Sequence, residues 1–142
     1  MKQDREVYVL DTSALFTFIE DEEGSEYVES LLIRAEKDEI DIHIAFVSLT
    51  VVFYISSRKR DEEEALRRVR LIQCLAVKVG ESNESLNLEA GRLKAKIRIS
   101  LADAYIAALS QGEHGILVHK DPEFEKISPA IREHRLPYKR NR

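Results

Sequence analysis

Three aspartates stand where a sheet-based site would hold them. Asp11 follows the apolar run Val7-Tyr8-Val9-Leu10, and Asp121 comes shortly after Ile116-Leu117-Val118. In open parallel sheets, ligands bind outside the carboxyl ends of the strands. Asp103 lies one turn into a stretch that is otherwise apolar around it: Leu101, Ala102, Ala104, Ile106 and Ala107. A carboxylate there must face solvent or meet a cation, because an isolated charge is costly to bury. Three converging carboxylates repel one another unless a hard cation sits between them. Mg²⁺ or Mn²⁺ binds through oxygen and keeps several waters, so a sparse carboxylate set suits it. Such an ion activates water and stabilises the charge that develops on a phosphodiester under hydrolysis. Each aspartate also has a plainer use: Asp11 as a helix cap, Asp103 as a first-turn acid, Asp121 before Pro122 as a turn residue.

The elements that would position these residues alternate. Val7–Leu10 reads as a short buried strand. Asp11-Thr12-Ser13 caps a helix through Ile19, the acidic loop Glu20 to Gly24 follows, and Ser25 starts a helix with Val28, Leu31, Leu32 and Ala35 at helical spacing. Ile40, Ile42, Ile44 and Phe46 alternate with Asp41, His43 and Ala45, which is a strand period. Beyond Ser48 two readings stand. The β-branched and aromatic residues of Leu49 to Ile55 favour strand, whereas Ser48 as a cap and Arg58-Lys59-Arg60 at the far end favour a buried helix.

Asp61 caps a helix with Glu62, Glu63 and Glu64 in its first turn and Ala65, Leu66, Val69, Ile72 and Cys74 along it. Ala76 to Val79 reads as a strand, Ser85 to Ala95 as a helix, and Ser100 as the cap of a helix closing near Gly112. Strands alternating with helices imply a parallel sheet covered on both faces.

Composition excludes several classes. With 142 residues the chain suits one domain, and 44% hydrophobic residues with a net charge of −4 argue against disorder. The uncharged stretch Ile42 to Ser57 falls short of the ~20 apolar residues of a spanning helix. Mixed charge over Lys2 to Glu6 does not resemble a signal peptide. The expectation is a soluble cytoplasmic protein. The lone Cys74 excludes an intramolecular disulfide and a cysteine-based zinc site, and its neighbours Leu71, Ile72 and Leu75 suggest burial. Residues 1–41 carry 4 basic and 13 acidic side chains, whereas the rest carry 18 and 13. A cationic rim around an acidic centre would hold a phosphate backbone near bound metal. Arg58-Lys59-Arg60 and the series Arg92, Lys94, Lys96, Arg98 are candidate phosphate contacts, with solvated helix ends as the plainer reading. His43, His114, His119 and His134 lack metal-binding spacing and read as surface or turn residues, although His119 and Lys120 adjoin the proposed site. No glycine-rich phosphate loop occurs, and Asp11-Thr12-Ser13 lacks the second aspartate of a haloacid-dehalogenase-type phosphatase.

Read together, the segments Val7 to Leu15, Ser100 to Ala108 and Leu117 to Phe124 resemble, in order and separation, three signature segments of the PIN domain. The closest resemblance is to VapC-type toxins of prokaryotic toxin–antitoxin pairs, over about residues 6 to 138. It implies a three-layer α/β/α sandwich around a parallel sheet, and an acidic pocket in which Asp11, Asp103 and Asp121 hold Mg²⁺ or Mn²⁺. Thr12 or Ser13 would orient Asp11 or a metal-bound water. The contested segment becomes a strand ending near Val47 and a helix from Leu49. The implied activity is metal-dependent endoribonuclease cleavage, in which a metal-bound water attacks the phosphodiester of RNA. The implied partners are a cognate antitoxin and a second copy of the chain, with Phe16, Phe18, Val52, Phe53 and Tyr54 as candidate surface residues.

One departure stands out. The family places a glutamate in the helix after the second strand, where Ser48-Leu49-Thr50-Val51-Val52-Phe53-Tyr54 here offers Val51, which neither binds metal nor orients water. Glu20, Glu22 or Glu23 from the following loop are the acids available to compensate. The departure motivates an alternative from another class: a catalytically impaired module that binds RNA or protein without cutting.

Overall fold

The computed structural model describes residues 5–127 and 130–138. Five strands form one sheet in the order β3-β2-β1-β4-β5, and every neighbouring pair is parallel. They are β1 (Val7–Leu10), β2 (Asp41–Ala45), β3 (Lys78–Gly80), β4 (Ile116–His119) and β5 (Arg132–Arg135). Between them run α1 (Thr12–Ile19), α2 (Ser25–Glu36), α3 (Phe46–Lys59), α4 (Glu62–Cys74), α5 (Glu84–Lys96) and α6 (Leu101–Gly112), with a short 3₁₀ turn at Pro122–Lys126.

Strand alternation divides the core in two. Tyr8, Leu10, Ile42, Ile44 and Val118 point to one face, packed with Ala14 and Leu15 of α1, Val28, Leu31 and Leu32 of α2, Val52 of α3 and Ile72 of α4. Val9 and Leu117 point to the other, packed with Leu86 and Ala90 of α5, Ala104, Ile106, Ala107 and Ala108 of α6, and Phe124. The result is the α/β/α sandwich of the sequence reading.

The contested segment is helical, and it begins at Phe46 directly after β2 rather than at Leu49. Its cap, Ala45, makes no side-chain capping bond, so Ser48 sits inside the helix instead of starting it. The buried positions Ser48, Val52 and Ser56 recur every four residues. Packing of that small-residue face overrides the strand propensity of the β-branched run. Elsewhere the caps are as read: Asp61 accepts from the Glu64 N–H at 2.8 Å, and Ser100 from the Asp103 N–H at 3.0 Å.

Four expectations need correction. The third strand is Lys78–Gly80, two residues later than its apolar run suggests. Cys74 is exposed, because the face that α4 buries is Ala65, Arg68 and Ile72. Val52 is fully buried and unavailable to a partner. His119 is fully buried as well, not a surface or turn residue. A fifth strand, absent from the sequence reading, covers the β4 edge. Its register pairs His119 with Arg135 and Leu117 with Glu133.

Candidate functional site

Asp11, Asp103 and Asp121 meet at the carboxyl ends of the two central strands β1 and β4. Asp11 ends β1, and its main-chain N–H donates to the Val118 carbonyl of β4 at 3.1 Å. Its carboxylate is 2% exposed. One oxygen accepts from the Ala14 N–H at 2.7 Å, capping α1, and the Ser13 hydroxyl lies 2.7 Å from both oxygens. That hydroxyl also accepts from the Lys120 N–H at 2.8 Å, so Ser13 ties Asp11 to the loop carrying Asp121. Thr12 does not share the role: its hydroxyl donates to Ser48 on α3, at 3.1 Å.

Asp103 reaches the site from the first turn of α6, and Asp121 from the end of β4, where it accepts from the Glu123 N–H at 3.0 Å and caps the 3₁₀ turn. The plainer roles of Asp11 and Asp121 as caps therefore hold alongside their convergence. Burial pushes the Asp11 carboxyl up to about 7, against the lowering bonds from Ser13 and Ala14 and with the charges of Asp103 and Asp121 adding to the rise. Asp103 is likewise pushed up to about 7, by burial first and then by the adjacent Asp121 carboxylate, with which it shares a hydrogen bond. Two buried acids shifted upward, with a further carboxylate beside them and no cation among the causes of either shift, fit a site that takes up positive charge.

Chemically, this all-oxygen set suits a hard divalent cation that keeps much of its water. Among the described residues, no group of three or more acids, histidines or cysteines is arranged, as the side chains stand, to hold a metal ion. Fit therefore rests on the donor chemistry and on the charge crowding at Asp11 and Asp103.

A cleft of about 410 Å³ opens beside Asp121 and Ser13, walled by Phe16, Ile55, Pro122 and Tyr138, with Lys59 and Lys120 at its rim. Val51 is half-buried and precedes Ile55 and Lys59 by one and two helical turns, so α3 turns a side without acids toward the cleft. Of the acids in the α1–α2 loop, Glu20 is held by Arg68 at 3.0 Å, and Glu22 lies 3.6 Å from the Lys120 ammonium. Both line the cleft, whereas the Glu23 carbonyl accepts from Lys120 at 3.0 Å. The basic series on α5 is partly spent locally: Arg92 pairs with Glu89, and Lys94 donates to the Ile99 carbonyl at 2.7 Å.

Sequence reasoning placed His119 beside the site without its burial and did not single out Arg68. His119 lies under the site, its Nδ1 accepting from the Asp121 N–H at 3.1 Å, and burial pushes its imidazole below the usual histidine value despite the nearby Glu133. Arg68 was hidden because an arginine on a charged helix looks solvent-facing. Its position three residues after Ala65 and four before Ile72 was the available signal.

A family model of the PIN domain matches residues 8–128. The chain belongs to the PIN domain family. Its fold is similar to that of VapBC2 from Rickettsia felis, solved bound to a promoter DNA fragment, with 19% identity, a TM-score of 0.74 and coverage of 92% of this chain and 99% of that one. DNA-bound VapBC from Salmonella typhimurium gives 19% identity, a TM-score of 0.72 and coverage of 92% and 98%. The sarcin-ricin loop cleaving toxin VapC20 of Mycobacterium tuberculosis gives 12% identity, a TM-score of 0.67 and coverage of 87% and 95%. No curated protein matches the chain. Among the described residues of this PIN domain, no helix is long and apolar enough to cross a membrane.

Proposed function

We propose that this PIN domain is a VapC-like endoribonuclease dependent on Mg²⁺ or Mn²⁺, with Asp11, Asp103 and Asp121 holding the ion. The observation that carries the reading is the convergence of these three acids at the carboxyl ends of β1 and β4, where burial first and mutual repulsion second push both Asp11 and Asp103 up to about 7. A bound ion supplies charge neutralisation at the phosphodiester and a more acidic water. The chain's own residues do the rest. Ser13 and the Ala14 N–H hold both Asp11 oxygens in place, and the 3₁₀ turn fixes the Asp121 side chain through the Glu123 N–H. Lys59 at the cleft rim offers a cation to the RNA backbone, while Lys120 braces the acidic loop.

The VapBC complexes of similar fold favour a cognate antitoxin as partner, and exposed Tyr54 and Leu66 on the neighbouring helices α3 and α4 offer apolar surface for it or for a second copy in a homodimer. An RNA substrate and such a partner would be met in the cytoplasm, which is where this reading has the chain act.

A second reading follows from Val51. With no acid from α3, the pocket would hold its ion weakly or leave the attacking water misplaced, and the domain would bind RNA or protein without cutting. RNA cleavage in Mn²⁺ by wild type, Asp11→Asn and Val51→Glu separates the two. Wild-type cleavage lost in Asp11→Asn supports the nuclease. A silent wild type with an active Val51→Glu supports the impaired module. Cleavage that survives both chelator and Asp11→Asn removes this pocket from consideration.

A further inference from the structure

The loop carrying Asp121 hangs from a buried histidine. His119 is the last residue of β4 and is fully buried. Its main-chain carbonyl accepts from the Leu136 N–H at 2.7 Å, just beyond β5. Its ring is enclosed by Phe124, with centroids 5.0 Å apart, and Tyr138, at 6.3 Å. Nδ1 accepts the Asp121 main-chain N–H at 3.1 Å. A nitrogen that accepts a hydrogen bond carries a lone pair, so in the neutral ring the proton sits on Nε2. Nε2 faces the largely buried Glu133 of β5, whose Oε1 lies 3.8 Å away. Among the described residues, neither Nε2 nor the Glu133 Oε2 has a hydrogen-bond partner. Glu133 is held in turn by Arg135.

We propose that His119 is a positioning residue for Asp121, its Nδ1 lone pair holding the Asp121 amide while Glu133 selects the tautomer from the Nε2 side. The role rests on the reading of Asp121 as a site acid. It does not make His119 a ligand or a proton donor in the reaction. The Asp121 N–H would otherwise be an unpaired donor at the head of the turn, and the direction of the carboxylate would be left to the turn alone. Ser13 secures the same loop one residue earlier, through the Lys120 N–H. Consecutive amides are thus fixed from two sides, one by the Asp11 side of the pocket and one by the strand beneath. β5 acquires a purpose through this arrangement: it carries Glu133 to the Nε2 side of the ring.

The decisive measurement is the tautomer of His119 in the metal-free wild-type chain, read by long-range ¹⁵N–¹H correlation of labelled histidine at neutral pH. The expected result is the Nε2–H form. The Nδ1–H form would overturn the proposal, whatever the nuclease assays show. Two variants then test the consequence, with Mn²⁺ affinity by calorimetry and kcat and KM on RNA as readouts. In His119→Asn the amide oxygen falls near the place of Nδ1, whereas in His119→Gln the polar atoms reach toward Nε2. His119→Asn should keep Mn²⁺ affinity and kcat within about threefold. His119→Gln should lose about tenfold or more in both with KM unchanged, the scale of removing a residue that orients a metal ligand. Equal losses in the two variants would reduce the ring to packing and overturn the proposal. If the wild type cuts no RNA, the nuclease reading fails by itself, and the tautomer and the Mn²⁺ affinities still decide the role of His119.

Discussion

Helix α1 has a charged cluster at each end, and the two are built on opposite principles. At its N-terminus, Asp11 meets Asp103 and Asp121, and burial with mutual repulsion holds two of these acids near 7. At its C-terminus, Glu20 meets Arg68, which also pairs with Glu64 at 2.8 Å and donates to Ser56 at 3.3 Å. There the bonds from Arg67 and Arg68 hold the Glu64 carboxyl down at about 2. The second cluster balances its own charge and ties α1 to α3 and α4. The first has no cation among the causes of its shifts, which is why we read it as a binding site rather than a brace.

Asp11→Asn should separate the two clusters most sharply. It keeps the helix cap, since asparagine accepts from N–H as aspartate does, but removes one of the three acids. RNA cleavage should fall at least about a hundredfold, the scale of a misplaced reacting group.

Acid titration gives the next largest effect. A carboxyl raised in the folded state from its ordinary 3.8 to about 7 makes the native protein bind more protons than the unfolded chain between those values. The metal-free protein is therefore most stable at low pH on this account and loses stability as pH rises through 7, by up to about 4 kcal/mol for Asp11. Melting curves from pH 5 to pH 8 should show the decline, Asp11→Asn should flatten it, and Mn²⁺ should reverse it at the alkaline end. His119, held below the usual histidine value by burial, pulls the other way in both proteins, so a wild-type curve that does not fall relative to Asp11→Asn over this range would undo the contrast between the clusters.

Arg68→Met probes the other end of α1. It keeps most of the buried stem but strips the cation from Glu20 and Ser56, and should cost about 2 kcal/mol in denaturant unfolding. Most of that loss should persist at pH 8 and be indifferent to Mn²⁺. Cys74→Ser, on the exposed face of α4, should lie within about 0.5 kcal/mol of wild type and sets the baseline for the series.

Much of this architecture was legible where side-chain period and burial coincide. Val7–Leu10, Ile116–Val118 and the caps Asp11, Asp61 and Ser100 follow from local pattern, and with them the placement of Asp11 and Asp121 at strand ends. Legibility failed where long-range contacts set the outcome. The β-branched run of α3 is helical because Ser48, Val52 and Ser56 let it pack closely, which no local propensity reports. Arg132-Glu133-His134-Arg135 has no apolar residue, so β5 carries no hydrophobic signal; its place is fixed by β4 beside it and by His134 stacked on Tyr27 at 4.0 Å between centroids. His119 then looked like part of a turn because the strand that buries it was invisible. Cys74 was misjudged by its apolar neighbours, although helical period assigns the buried face to Ala65, Arg68 and Ile72.

The composition of the outermost strands has a consequence for how copies of this domain behave in a crowded solution. One border of the sheet is the three-residue β3, and the other is β5, charged or titratable at every position. Short or charged borders are poor templates for a further strand, since each added pairing would have to strip water from those charges. Self-association that extends the sheet into open-ended ribbons is thereby discouraged.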